Sequence, residues 1–548
     1  MKKIYWLGIA LFLHSFYSAQ VHALNIALNN VNLVDVEQMQ VYQRKTILLN
    51  NGTIEAILNS NDAKVSDKYT SIDMNGKYVI PGLIDTHVHH GTVPDDTDRD
   101  DITRERLRLL LRGGVTSVRD MGGDVRALAS LKRRAEIDVI QSPDMYYSVI
   151  IGGEAFFSDP RTAASALGRV PGDTDWMRAV DESSDMDKIM LKALGTGATG
   201  IKIYADVSAS VVTKLAEAAK RHGLKVWSHA YVGPVRPAEL AVAGVETVSH
   251  AADFSSHVVE DFYALRRKGV SLSEVQQAAS FELNRYDDLF AALKANGTIV
   301  DATLTVFDKH RQARGERGEL LHKWGTTFTR LAHINGIPVS VGTDSTSDSV
   351  GVTYPLVYHE MKLLVEEAGF TPMDALRAAT ITGAEVIGIE GTHGSVTPGK
   401  VANLVVLNSD PTTHIGNISD VAHVIKNGEF VYRGDDERLP FVSAKKAGGM
   451  LWMSGQLGNL PSTMTLAGDD IKTQMTQAMK NVGAILQEHD LDYSDVVKCT
   501  LMLADINDWP AANEAYRPFF KSFPVRSAFA ASGLALDAKV EVECIAAL

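Results

Sequence analysis

Between Ile80 and Asp344 short apolar, β-branched runs alternate with helical stretches, and no other feature of the chain constrains its fold as strongly. The runs are Ile80–His89, Val115–Asp120, Met145–Ile151, Gly200–Tyr204, Leu224–His229, Val245–His250, Thr298–Leu304 and Val339–Asp344. Helical patterns such as Arg104–Arg112, Asp185–Leu194, Ser210–His222 and Pro237–Ala243 fall between them, several stopping at a glycine (Gly113, Gly223, Gly244). Parallel strands need a long crossover, usually a helix, so this alternation predicts a parallel sheet covered by helices. Eight such units predict a (β/α)8 barrel. A doubly wound open sheet is the alternative, and it fits less well because no glycine-rich phosphate loop follows the first strand.

The flanks have a different texture. Residues 24–78 carry short strand patterns divided by turn signals such as Asn51-Gly52 and Asn75-Gly76. Residues 386–433 are similar, with a hairpin signal at Asn427-Gly428. The two segments predict one composite β-sandwich beside a barrel at 79–385. Residues 434–438 read as a linker, and 439–548 as a separate α+β unit of ordinary domain size.

The chain of 548 residues is 45% apolar and 22% charged, as a globular protein is. A net charge of −13 without a basic run gives no footing for nucleic acid. Met1-Lys2-Lys3, an apolar stretch to about Ala19 and then Val21-His22-Ala23 form a signal-peptide pattern over residues 1–23. Export to a periplasm or beyond is the expectation, with no membrane span in the mature chain. The two cysteines, Cys499 and Cys544, are expected as buried free thiols on strands, since nothing in the sequence places them within disulfide reach.

Chemistry concentrates at strand ends. His87 and His89 alternate on the first strand and so share a face. Lys202, His229, His250 and Asp344 each sit at or near the C-terminal end of a later strand. A barrel brings all those ends to one mouth, where active sites are built. Neutral imidazoles with a carboxylate suit zinc and related divalent ions. A water held by such an ion is acidified toward neutral pH, and a nearby aspartate can carry its proton to a leaving amine. Lys202 fits beside a cation if carbon dioxide has carboxylated it into an anionic bridge.

This pattern, with Val79-Ile-Pro-Gly-Leu-Ile-Asp-Thr-His, Gly114-Val-Thr-Ser-Val-Arg-Asp and Pro398-Gly-Lys-Val-Ala-Asn-Leu-Val-Val-Leu, resembles the metal-dependent amidohydrolase superfamily, in its imidazolonepropionase-like and Xaa-Pro dipeptidase-like branch. The resemblance runs from Asn25 to Arg433. It implies His87, His89 and Asp344 on one zinc, His229 and His250 on a second, Lys202 bridging (one zinc if Lys202 is not carboxylated), and Asp344 as proton shuttle. Tyr231 resembles a substrate-contacting tyrosine, and Tyr204 and Arg119 are further pocket candidates, each equally readable as packing or a structural ion pair. The chain departs from many dipeptidases after Lys202, where Tyr204-Ala-Asp-Val replaces a glycine-rich continuation.

The last unit resembles the RidA-type enamine/imine deaminases in Met453-Ser-Gly-Gln-Leu, Asn513-Glu-Ala-Tyr-Arg-Pro-Phe-Phe, Pro524-Val-Arg-Ser-Ala and Val540-Glu-Val-Glu-Cys-Ile-Ala. That resemblance implies Arg526 on a substrate carboxylate, Glu541 orienting water, and Ser454 and Asn513 lining the pocket, with Phe441 where many members have tyrosine. It also implies a trimer with pockets between subunits. The reading is therefore an exported hydrolase of a small-molecule C–N bond (amide, peptide or cyclic amide), joined to an imine deaminase or assembly module. A ring deaminase or imidazolonepropionase-type enzyme is an alternative within the class; a non-catalytic small-molecule-binding or assembly protein is an alternative outside it.

Overall fold

The computed structural model describes residues 25–60, 65–91, 100–259, 281–346, 355–434, 442–460 and 466–548 (488 and 490 excepted), with scattered residues between 264 and 279. The leader, most of the linker and Phe441 lie outside the described residues. Eight parallel strands appear in chain order: Leu83–His89, Val115–Asp120, Asp144–Gly152, Gly200–Ile203, Lys225–His229, Thr247–Ser249, Ile299–Asp301 and Val339–Ser340. Each pairs with the next. The eighth resumes at Ser345–Thr346, which pairs with the first, Ser345 opposite Val88 and Thr346 opposite His89. The sheet is thereby a closed (β/α)8 ring, and the open doubly wound alternative falls.

Local signals set the crossover helices. Asp185 caps Met186–Gly195 by accepting from the Lys188 amide at 3.0 Å, and Ser208 caps Ala209–His222 in the same way. Thr371 and Asp374 form a capping box at Pro372–Arg377. Their apolar faces pack onto the barrel in one continuous core that includes Ile201, Val226, Leu215 and Leu376.

The run from Val79 to His90 is two strands, not one. Tyr78–Pro81 joins the composite β unit, antiparallel to Leu404–Leu407 and parallel to Ile26–Asp35. The barrel strand starts at Leu83, so the barrel begins four residues later than position 79. Gly82 makes the crossing possible, because a Cβ there would stand 2.2 Å from the Thr116 hydroxyl. In the composite unit eight strands from both flanks share one hydrogen-bonded sheet around a core of Leu28, Ile47, Val79, Leu404 and Ile425.

In the C-terminal unit the strand order is Ala444–Ala447, Met450–Met453, Val540–Ala547, Val496–Leu503 and Val525–Ala530, with Gln456–Leu457 beside Val540–Ala547. Helices Ile471–Gln487 and Trp509–Tyr516 cover one face through Met475, Met479, Ala512 and Tyr516. The opposite face carries Trp452, Val525 and Phe529, which are 50%, 66% and 49% exposed.

The cysteines correct the sequence reading. Cys499 and Cys544 are direct cross-strand partners in this sheet, both buried, and they form a disulfide with a Cα–Cα distance of 4.1 Å. Residues 45 positions apart become neighbours only through strand pairing, which is why spacing did not show it. Closing a loop of that length stabilises the folded unit by about 4 kcal/mol on a chain-entropy reckoning. Differential scanning calorimetry with and without reductant should therefore show the C-terminal unit melting at a lower temperature when reduced, with Cys499→Ala/Cys544→Ala melting at the reduced value in both buffers.

Candidate metal centre

His87, His89, His229, His250 and Asp344 converge at the C-terminal mouth of the barrel. The rings of His87 and His89 are 5.4 Å apart, His87 and His250 5.0 Å, and His229 and His250 4.9 Å. His87, His89 and Asp344 bring one ligand atom each within 4.8 Å of the others. Backbone of unusual form aims these groups. His250 (φ 71°), Thr303 (φ 54°) and Asp344 (φ 51°) all end barrel strands in the left-handed region, which side chains other than glycine adopt at a cost.

Each imidazole is gripped through Nδ1. His87 Nδ1 donates to Asp301 Oδ2 at 2.7 Å, His89 Nδ1 to the Gly122 carbonyl at 3.1 Å, and His229 Nδ1 to the Tyr204 carbonyl at 3.1 Å. His250 Nδ1 faces Thr303 Oγ1 at 3.0 Å. The first three bonds put the proton on Nδ1 and leave a lone pair on Nε2. That choice has a consequence at Asp344, whose Oδ1 stands 3.4 Å from His87 Nε2 and 3.2 Å from His89 Nε2. With neutral rings, lone pairs then face a carboxylate oxygen with no proton between them, and His87 Nε2 is a buried atom without a hydrogen-bond partner. Burial works against a charge on His89, but its hydrogen bond and attraction to Asp344 raise its pKa, so positive charge is favoured at this spot. The set is electrostatically incomplete without a cation. Two ligands about 2.1 Å from a tetrahedral ion lie about 3.4 Å apart, the spacing seen here. The residues present fit a divalent metal.

Burial and mutual charge agree with that reading. Burial pulls His229 well below its ordinary pKa and His250 down to about 3, so both stay neutral and ligand-ready. Burial opposes the charge on Asp344, and it is positive charge at His87, His89 and His250 that holds the carboxyl far below its usual range, a charge that a bound cation supplies when the rings are neutral. Lys202 is fully buried, and burial together with the Arg119 charge brings its ammonium down to about 7. Its Nζ donates to Ser249 Oγ at 2.8 Å. A lysine with this much free amine at neutral pH can take up carbon dioxide.

The other sequence candidates divide. Tyr204 lines the cleft, edge-on to His229 at 4.7 Å, and donates its hydroxyl to the Met121 carbonyl at 2.8 Å. Tyr231, half-buried two residues past His229, is not among the residues lining the cleft. Arg119 is no substrate contact: it is fully buried beneath the site, donating to the Thr86 carbonyl and to Asp301 at 3.0 Å, with its guanidinium 4.7 Å from the Trp227 ring. His90, just past the end of the first barrel strand, is buried, its amide donating to Asp120 Oδ2 at 2.8 Å.

Sequence reasoning passed over Asp85, Asp120 and Asp301. Asp85 accepts from the His87 amide and from the Thr343 amide, each at 3.1 Å, and from the Thr343 hydroxyl at 2.8 Å, tying the first strand to the eighth. Burial pushes its carboxyl up to about 7. Asp120 gathers the amides of His90 and Gly91. Asp120 and Asp301 end strands just as Lys202 and Asp344 do, so the strand-end criterion, applied evenly, would have found them.

Above the site opens a cleft of roughly 530 Å³ lined by Ile150, Phe156, Met177, Val306 and Leu356 and by the cations Arg161, Lys309 and Arg314. In the C-terminal unit the four pocket candidates do not meet. Glu541 lies against Gly455, next to Ser454, on the open face of the sheet. Arg526 sits on the helix-covered face, 5.0 Å over Tyr516, whose helix also carries Asn513.

A closed parallel barrel with histidines and an aspartate at its C-terminal mouth defines a metal-dependent hydrolase of the α/β-barrel class. The chain belongs to the amidohydrolase family, which it matches over residues 78–431. It is thus a hydrolase acting on carbon–nitrogen bonds, in a family that generally binds divalent metals. Residues 436–548 match the family described as endoribonuclease L-PSP. Over 110 residues they are 42% identical to Reactive Intermediate Deaminase A, chloroplastic, of Arabidopsis thaliana, covering 20% of this chain and 59% of that protein. Over 108 residues they are 38% identical to the 2-iminobutanoate/2-iminopropanoate deaminase of Homo sapiens, covering 20% of this chain and 79% of that protein. Among solved structures, a Xaa-Pro dipeptidase with methionine bound in its active site aligns with TM-score 0.59 at 21% identity over 75% of this chain and 100% of that one. A prolidase-type protein from Bifidobacterium longum aligns with TM-score 0.58 at 22% identity over 75% and 95%. At these identities the two structures establish the fold.

If Nε2 atoms meet a cation at Asp344, His87→Ala and His89→Ala should each fold normally by circular dichroism yet retain less than half the metal of the wild type after zinc loading and desalting, read by plasma mass spectrometry.

Proposed function

We propose that the barrel hydrolyses the amide bond of a small N-acyl amino acid or dipeptide in an exported compartment. The observation that carries this is the set of lone-pair nitrogens turned toward the Asp344 carboxylate at the floor of the cleft. His87, His89 and Asp344 would hold one divalent ion, His229 and His250 a second, with carboxylated Lys202 between them; zinc suits the donors. Bound there, the metal supplies Lewis-acid polarisation of the scissile carbonyl and acidifies the attacking water. Asp344, kept ionised by the positive charge gathered at its histidine neighbours, would accept the proton of that water and deliver it to the leaving nitrogen as the C–N bond breaks. Tyr204 and Phe156 stack 5.2 Å apart as an apolar wall, which holds the substrate and limits water.

The cleft cations favour an anionic substrate. Arg161 shares its charge with Asp159, but exposed Lys309 and Arg314 add positive charge above the metal residues. A free carboxylate on the leaving amino acid would meet them. Export rests on the Lys2-Lys3 start, the apolar stretch and Val21-His22-Ala23, and the disulfide is in keeping with an oxidising compartment. Among the described residues no helix is long and apolar enough to cross a membrane.

For the C-terminal unit the reading is an imine deaminase completed between copies of the chain. Arg526 and Glu541 face opposite sides of one sheet, so a pocket using both needs a second protomer. The uncovered apolar face with Trp452, Val525 and Phe529 is a surface such copies can bury, in a trimer as the RidA-type resemblance suggests.

On a panel of N-acyl amino acids and dipeptides, Asp344→Asn should lower kcat by about 10³-fold or more with KM changed only a few-fold. Phenanthroline should abolish turnover and zinc restore it. A wild-type chain inactive across the panel with zinc present would sink the substrate reading. Light scattering of Trp452→Lys/Phe529→Lys should give a smaller assembly than wild type, with the imine hydrolysis lost in Arg526→Ala lost there too.

A further inference from the structure

Strand seven donates no residue to the ligand set, yet its last residue, Asp301, joins three of the groups beneath the site. It is fully buried. Its Oδ2 accepts from His87 Nδ1 at 2.7 Å, from Arg119 Nη2 at 3.0 Å and from Ser249 Oγ at 2.9 Å. Ser249, having given its proton to Asp301, accepts from Lys202 Nζ at 2.8 Å. Thr86 Oγ1 lies 3.4 Å from the other oxygen. Gly342 leaves room for this carboxylate, since a Cβ there would come within 2.1 Å of Asp301 Oδ1 and 2.7 Å of the His87 Cβ.

The geometry points to Asp301 as the positioning residue that keeps both halves of the site ready for metal: it fixes His87 in the Nδ1–H form directly and aims Lys202 through Ser249, with Arg119 as its buried countercharge. The inference rests on the hydrolase reading above and goes beyond it to a residue that touches no substrate. Three donors on one oxygen require a carboxylate, because a neutral amide oxygen would satisfy them poorly. Without that anion, His87 gains by moving its proton to Nε2, where Asp344 Oδ1 waits 3.4 Å away. The ring and the carboxylate would then bond to each other, and the nitrogen meant for metal would be occupied by a proton. On the other side, a Lys202 no longer held by Ser249 would lose its direction toward the second half of the site. Partners behind metal ligands are commonly worth 10–100-fold in metal affinity.

Two variants separate the branches. In Asp301→Asn the first and second zinc-binding constants, from stepwise titration of the metal-free full chain against a competing chelator, should each fall at least ten-fold. In Ser249→Ala only one constant should fall, and the other should stay within two-fold. Histidine-¹⁵N spectra of the metal-free protein, with the His87 signal assigned by its loss in His87→Gln, should show Nδ1–H in wild type and Ser249→Ala but Nε2–H in Asp301→Asn. Should Asp301→Asn fail to fold because Arg119 is left unpaired, Asp301→Asn/Arg119→Met removes that charge and carries the same expectations. Unchanged constants and an unchanged His87 tautomer in a folded Asp301 variant would overturn the inference, as would equal loss of both sites in Ser249→Ala. A wild-type chain that binds no zinc would count against the hydrolase reading, whereas the tautomer spectra would still decide the role of Asp301.

Discussion

Closure of the barrel by its eighth strand is the interaction on which everything else depends. Val339–Ser340 pairs with strand seven, and Ser345–Thr346 pairs with strand one. Between them the Thr86 amide donates to the Val341 carbonyl at 2.9 Å, and the Asp344 amide to the His87 carbonyl at 2.8 Å. The second bond sets Asp344 against His87 through the main chain. Backbone hydrogen bonds buried this deeply are costly to leave unmade, so ring closure and ligand placement stand or fall together. The break after Ser340, with Asp344 in a left-handed conformation, lets one short segment serve both tasks.

Beneath the ligands lies a layer of buried charge that a stability argument alone would not keep. Arg119, Asp301, Lys202 and Asp85 are all shielded from water. Taking such groups out of solvent costs several kcal/mol each, offset only where hydrogen bonding is complete. Burial pushes Asp85 up and Lys202 down, whereas Asp301, surrounded by His87, Arg119 and Lys202, is held down at about 2 despite its burial. Opposite shifts in interacting carboxyls such as Asp85 and Asp301 are characteristic of sites built for chemistry.

Much of this was legible before any coordinates. The strand and helix alternation gave the barrel because period-two and helical patterns are local properties of sequence. The glycines Gly113, Gly223 and Gly244 marked helix ends for the same reason, whereas the cap at Ser208 lies two residues before the helix start read at Ser210. The strand-end position of His87, His89, His229, His250 and Asp344 was readable because parallel strands must share one end. What escaped was non-local. Arg119 looked like a pocket residue because strand position does not say whether a side chain turns to the mouth or to the packed interior. Tyr231 lies past the strand, where alternation no longer predicts direction. Asp301 looked like any strand aspartate until His87, Arg119 and Ser249 were seen around it.

The C-terminal unit divides in the same way. Its motifs identified the family and its candidate residues, but not that Arg526 and Glu541 face opposite sides of one sheet, nor that Cys499 and Cys544 are cross-strand partners. The sequence by itself determined the succession of elements, the residue types at the strand ends and hence the class of chemistry, since these follow from local periodicity and from what imidazole and carboxylate can do. Only the tertiary structure decided which nitrogen of each histidine faces the site, which charges lie beneath it and which cysteines join, because those depend on contacts between residues far apart in the chain.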